Sequence, residues 1–180
     1  EPPPGLDGLY FGGGYPELSA AALAANGSMR AAVRAASTAG MPIYAECGGF
    51  MYLCAELVDL AGGRAPMAGC FPFAARMLPR LKALGYREVR LARDTLLGPA
   101  GSLLRGHEFH YSELEPHPGP VDSAYAAAAR RDSRPAVPGF LARRTLASYV
   151  HLHFGSAPAA AAAFVDACRG YRRERTPHDA

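Results

Sequence analysis

One cysteine sits in a setting where chemistry could be done. In Pro42-Ile43-Tyr44-Ala45-Glu46-Cys47-Gly48-Gly49-Phe50-Met51-Tyr52-Leu53, a short apolar run of strand character meets Cys47, two glycines follow, and an apolar run of helical character resumes. Strand, tight turn with a nucleophilic side chain, then helix is the layout of a nucleophile elbow. The glycines belong to it physically, because a sharp turn crowds any Cβ and a substrate must approach the backbone closely. A thiol at a helix N-terminus is expected to feel the positive end of the macrodipole, which favours the reactive thiolate. The alternative is a buried, inert cysteine. That suits Cys54, inside the following apolar run, better than Cys47.

Two other groupings bear on the same chemistry. Leu9-Tyr10-Phe11 ends in Gly12-Gly13-Gly14, then Tyr15-Pro16-Glu17. Backbone N–H groups of such a loop could cradle a phosphate, supply donors to an oxyanion, or simply turn the chain. No Gly-Lys-Ser/Thr follows, so the phosphate-loop reading fails. Histidines cluster in Gly106-His107-Glu108-Phe109-His110-Tyr111-Ser112 and in Ser148-Tyr149-Val150-His151-Leu152-His153-Phe154. On a strand His151 and His153 share a face. Such a pair suits a metal site or a base for a thiol. An elbow thiol needs one nearby base rather than a metal, so no metal is expected.

These residues need elements to position them. Glu17 to Ala25 and Ser28 to Ala39 are alanine-rich helical segments, parted by Asn26-Gly27, with Ser28 a candidate N-cap. With the Leu9 and Ile43 runs they give the strand–helix–strand rhythm of a parallel sheet. Met67 to Phe73, Tyr86 to Ala92, Leu104 to Leu114 and Phe140 to Phe154 read as further strands. Their connections are too short for many crossover helices, so part of the sheet is expected to be antiparallel. Ser123 to Arg131 reads equally as a helical turn or a loop, and Ser156-Ala157-Pro158 opens a final helix.

Composition sets the bounds. A chain of 180 residues with 49% hydrophobic residues suits one globular α/β domain with a full core. A net charge of +3 with scattered arginines is only weak evidence for nucleic-acid binding, so none is expected, and the basic tail Arg169 to Arg175 is expected to complement the end of the last helix. No apolar run reaches membrane-spanning length. The four cysteines show neither Cys-x-x-Cys nor zinc-ligand spacing and imply a reducing, cytoplasmic setting. The opening Glu1-Pro2-Pro3-Pro4 reads like a linker, so the chain is expected to be a piece of a longer protein.

Tyr10 to Glu17, Tyr44 to Leu53, Gly106 to Ser112 and Tyr149 to Phe154 closely resemble four motifs of the cobyrinate (or hydrogenobyrinate) a,c-diamide synthase family, in order and over nearly the whole chain. The resemblance is to its C-terminal glutamine amidotransferase domain, of the class I Cys-His type. It implies a three-layer, flavodoxin-like α/β fold with a mixed, mainly parallel sheet, and a single domain over residues 1–180. It also implies that Cys47 attacks glutamine, that His151 is base and then acid, and that N–H groups of Gly12, Gly13 and Gly48 meet the oxyanion. In the wider class a glutamate two residues after the base orients it. Here that position is His153, so His153 and Glu108 are the candidates for a supporting role.

By the same resemblance this domain needs no cofactor. ATP and magnesium belong to an N-terminal synthetase domain absent from this chain, which would be its partner along with the corrinoid substrate. A homodimer is a further expectation. The amidotransferase domain of cobyric acid synthase and a Cys-elbow hydrolase or chaperone of the DJ-1 type are the alternatives.

Overall fold

The computed structural model describes residues 2–129 and 137–175. The first part of the chain forms β1 (Leu9–Phe11), a 3-10 turn (Pro16–Ser19), α1 (Ala20–Ala25), α2 (Gly27–Thr38), β2 (Ile43–Glu46) and α3 (Gly48–Leu53). Then come β3 (Glu56–Val58), β4 (Arg64–Pro66), β5 (Ala74–Met77), β6 (Ala83–Arg90), β7 (Leu103–His110) and β8 (Ser112–Leu114). The rest is β9 (Asp122–Ala129), β10 (Val137–Ala142), β11 (Thr145–Ser148), β12 (Val150–Leu152) and α4 (Pro158–Arg175).

The main sheet runs β1-β2-β11-β10-β9-β6-β7-β12, and a smaller one runs β4-β3-β5-β8. The α/β architecture with mixed sheets is as expected, but its balance is not mainly parallel. Among the described residues parallel pairing is confined to β1–β2, β2–β11 and β3–β5. The short links explain the rest: β10 turns into β11 through Arg143, whose φ is 53°, and such a turn can only join antiparallel neighbours.

Alternation along the central strands builds three layers. Ile43, Ala45 and Ala147 face one core with Phe50, Leu53 and Val33, under α2 and α3. Tyr44 and Leu146 face the opposite core with Val150, Leu152 and Ala160, under α4. Phe50 is fully buried and packs on Phe71, Phe73, Phe140 and Tyr149, so its ring anchors the elbow helix.

Several local expectations change. Leu104 to Leu114 divides between β7 and β8, which lie in different sheets, and Phe140 to Phe154 is broken by turns into β10, β11 and β12. Asn26, not Ser28, caps α2, its side chain accepting from the Met29 N–H at 3.2 Å. Met67 to Phe73 is not a strand. Its N–H groups reach back to the carbonyls of Tyr52, Leu53, Cys54 and Ala55, satisfying the open end of α3. Residues 122–129 form a strand, because β10 offers a partner ladder; Arg130 and Arg131 lie outside the described residues. The last helix does end in Arg172, Arg173 and Arg175. No helix among the described residues is long and apolar enough to cross a membrane.

Candidate active site

β2 delivers its chain directly into the elbow. Cys47 has φ 46° and ψ −105°, a conformation that costs a non-glycine residue about 1–3 kcal/mol. Its surroundings hold it there. The Cys47 N–H donates to the Ser148 carbonyl at 2.8 Å, and its carbonyl accepts from Met51 at 2.9 Å in the first turn of α3. The flanking glycines are obligatory: a Cβ on Gly48 would overlap the Gly14 backbone, and one on Gly49 would press on the Phe11 and Gly12 carbonyls. The Gly49 N–H donates to the Gly12 carbonyl at 3.1 Å. The triple-glycine loop therefore lies directly against the elbow, and Gly12, Gly13, Gly14 and Gly48 meet around it.

The thiol is 7% exposed, with Sγ 3.5 Å from the Phe109 carbonyl. Burial pushes its pKa up to about 11, against a lowering hydrogen bond from Gly48 and with added repulsion from Glu17, Glu46 and Glu108. The expected thiolate is therefore not the resting form. The helix behind the thiol has only six residues, and its dipole is outweighed by desolvation and three carboxylates. Cys47 needs a base. Cys54 is fully buried with its thiol pushed up further, as suits a core residue.

His151 is central in β12, opposite His107 on β7. The two rings stack with centroids 4.6 Å apart. Gly13 lies beneath the same ring, so close that a Cβ there would overlap Cε1. Burial, then the His107 charge, lowers the His151 pKa; Glu46 opposes this and His110 adds to it. A neutral imidazole at physiological pH results. His153 lies beyond β12, exposed, with its ring near Gly155. It does not reach the base.

Glu108 is engaged elsewhere. Strand alternation turns it to the face opposite His107, where it is buried against Arg87, with 2.7 and 2.6 Å contacts, and against His110 Nε2 at 2.6 Å. Burial works against its ionisation, but the bonds and charges of His110 and Arg87 win and hold its carboxyl below the usual value. His110 Nδ1 is 2.7 Å from the Ser112 carbonyl, so both of its ring nitrogens are engaged by oxygen. His110 lines the same small cavity as Cys47, of about 30 Å³, with its ring nitrogens already committed to Ser112 and Glu108. His151, against the glycine loop that packs on the elbow, is the candidate base.

The sequence reading passed over Glu46. The signal is a lone carboxylate in the apolar strand Ile43–Glu46, immediately before Cys47. Among the described residues no three His, Cys, Asp or Glu side chains come together as a metal site.

Comparison with known proteins adds the following. Residues 1–159 match the model of the CobB/CobQ-like glutamine amidotransferase domain. A cobyrinate a,c-diamide synthase from Syntrophotalea carbinolica is 51% identical over 93% of this chain and 37% of its own length. A hydrogenobyrinate a,c-diamide synthase from Streptomyces coelicolor is 43% identical over 94% of this chain and 33% of its own. The chain thus spans about a third of the length of these relatives. A crystal structure of a glutamine amidotransferase superposes with a TM-score of 0.61 at 18% identity, over 92% of this chain and 81% of that one, which establishes the fold.

Proposed function

The chain belongs to the family of CobB/CobQ-like glutamine amidotransferase domains, and from that premise we propose that it releases ammonia from glutamine through a thioester on Cys47. At rest the pair is thiol and neutral imidazole. Cys47 Sγ attacks the side-chain amide carbon while His151 takes the thiol proton, and His151 returns that proton to the leaving nitrogen. The tetrahedral oxyanion is met by N–H groups of Gly48 and of the Gly12-Gly13 loop. Water, deprotonated by His151, then attacks the thioester carbon, and glutamate leaves as Sγ is reprotonated.

The observation that carries this reading is the positive-φ elbow at Cys47 with the glycine loop packed between it and the His151 ring. The cavity beside the thiol is too small for glutamine, so the turn from Gly14 to Glu17 that lines it has to open for substrate. The ammonia is destined for two carboxylates of a cobyrinate-type corrinoid. Their activation by ATP and magnesium takes place in a separate synthetase domain, which the greater length of the relatives accommodates.

Glutamate release from glutamine tests the proposal, together with labelling by a glutamine-like diazo-ketone. Hydrolysis that is lost in Cys47→Ser, with label on Cys47 alone, is the expected result. Full glutaminase activity in Cys47→Ser would end it.

A further inference from the structure

Glu46 is a carboxylate where the strand around it is apolar. Ile43, Tyr44 and Ala45 are fully buried, and Glu46 itself is 4% exposed. A carboxylate withdrawn from water is tolerated only where hydrogen bonds replace its hydration. Here Oε1 accepts from the Tyr44 hydroxyl and from the Leu152 N–H, each at 2.8 Å, and Oε2 accepts from the Tyr10 hydroxyl at 2.8 Å. The two tyrosine rings are stacked, 5.6 Å apart. Burial first, then the bond to Glu46, raises the Tyr10 pKa to about 12, and burial raises Tyr44 well above its ordinary value. Both phenols are therefore fixed as donors.

The position of these bonds is what matters. Glu46 is the residue before the nucleophile, and Leu152 is the residue after the base. On one edge β12 is laddered to β7. Toward β2 the described residues show no backbone ladder for β12, and the Glu46 carboxylate supplies the acceptor instead. The His151 ring itself has no side-chain hydrogen bond among the described residues; stacking on His107 and contact with Gly13 hold it.

We propose that Glu46 is the positioning residue of the catalytic pair, its carboxylate tying the His151 strand to the Cys47 elbow through the Leu152 N–H. This rests on Cys47 and His151 being nucleophile and base. Glu46 thereby takes the part that neither His153 nor Glu108 is placed to play. It also faces His151 electrostatically. The charged and titratable groups around that ring are His107, stacked from β7, His110 on the same strand, and Glu46 from β2; only Glu46 favours the protonated ring. Removing its charge leaves burial and the two histidines unopposed.

The test uses the full-length protein and Glu46→Gln, following glutamine hydrolysis against pH, His151 imidazole titration by NMR, and hydrogen exchange at the Leu152 amide. We expect kcat to fall about ten- to a hundredfold through misplacement of the base, with KM within about threefold. The His151 titration and the acid limb of kcat/KM should move to lower pH, and Leu152 exchange should quicken. Unchanged kcat or an unmoved titration would overturn the proposal. Should Glu46→Gln fail to fold, Glu46→Asp carries the test: the charge stays and the reach shortens, so kcat falls while the titration holds. Wild-type kcat in Glu46→Asp would equally overturn it. A wild-type protein that hydrolyses no glutamine would defeat the proposed function, while titration and exchange would still decide what Glu46 does.

Discussion

The His151 ring rests on Gly13: a Cβ at that position would overlap Cε1 and crowd Nδ1. The contact couples the loop to the base, because anything added to the loop here displaces the ring. It also separates two effects of the neighbouring glycines. At Gly13 an added methyl meets a side chain that can swing away, whereas at Gly48 it meets the Gly14 backbone, which cannot.

Gly13→Ala should therefore fold with little loss of stability and lose about a hundredfold in kcat, because the base is displaced. Gly48→Ala should lose activity and also melt several degrees lower, at about 1–3 kcal/mol for the forced backbone shift. Steady-state kinetics beside thermal melts check both. A Gly13→Ala enzyme with wild-type kcat would show that the loop does not set the base.

Cys47 should behave as a slow thiol in the absence of substrate. Its pKa lies near 11, so the thiolate fraction rises about tenfold per pH unit well below that value. Iodoacetamide alkylation should follow, climbing steadily between pH 7 and pH 9. A plateau in the rate below pH 8 would mean that the thiolate is already formed at rest.

His107 should tune the base. Burial and then His107 lower the His151 pKa, so His107→Phe, which keeps an aromatic ring there, should move the acid limb of kcat/KM upward. The sign for stability is fixed as well. A histidine whose folded pKa lies below its unfolded value contributes stability above the unfolded pKa, near 6.5, and loses it as pH falls through the folded one. Denaturant melts from pH 7 down to pH 5 should show this loss, smaller in His107→Phe.

How far the site was legible depended on range along the chain. The Cys47 elbow and the glycine loop are local patterns, and each stands where its residues suggested; the run from Phe140 to Phe154 instead breaks into β10, β11 and β12, with His153 beyond the last. The partners of those residues were not legible. Glu108 follows His107 in sequence, yet strand alternation sends it to Arg87 on the opposite face. The thiolate expected from a helix N-terminus was lost to burial, which no local pattern reports. Met67 to Phe73 has the composition of a strand, but the open end of α3 claims its N–H groups.

Arg87 should prove structural. Both members of its pair with Glu108 are nearly fully buried, with side chains 6% and 3% exposed. Arg87→Met would leave the carboxylate with His110 alone and should cost about 3–5 kcal/mol, as removal of one partner of a buried pair does. Urea melts measure it. A loss below about 1 kcal/mol would mean that water or His110 compensates.

The bond from Leu152 to Glu46 joins residues 106 apart in sequence. Contacts of that range form late, since the chain between must first be ordered, and β12 cannot settle until β7 has paired. During synthesis the nucleophile leaves the ribosome long before its base. A nascent chain ending before Thr145 presents β2 without the β11 edge that holds the Cys47 N–H. On the proposed mechanism a copy that lacks β12 hydrolyses no glutamine, and pulse alkylation during refolding should find Cys47 open until the last strand docks.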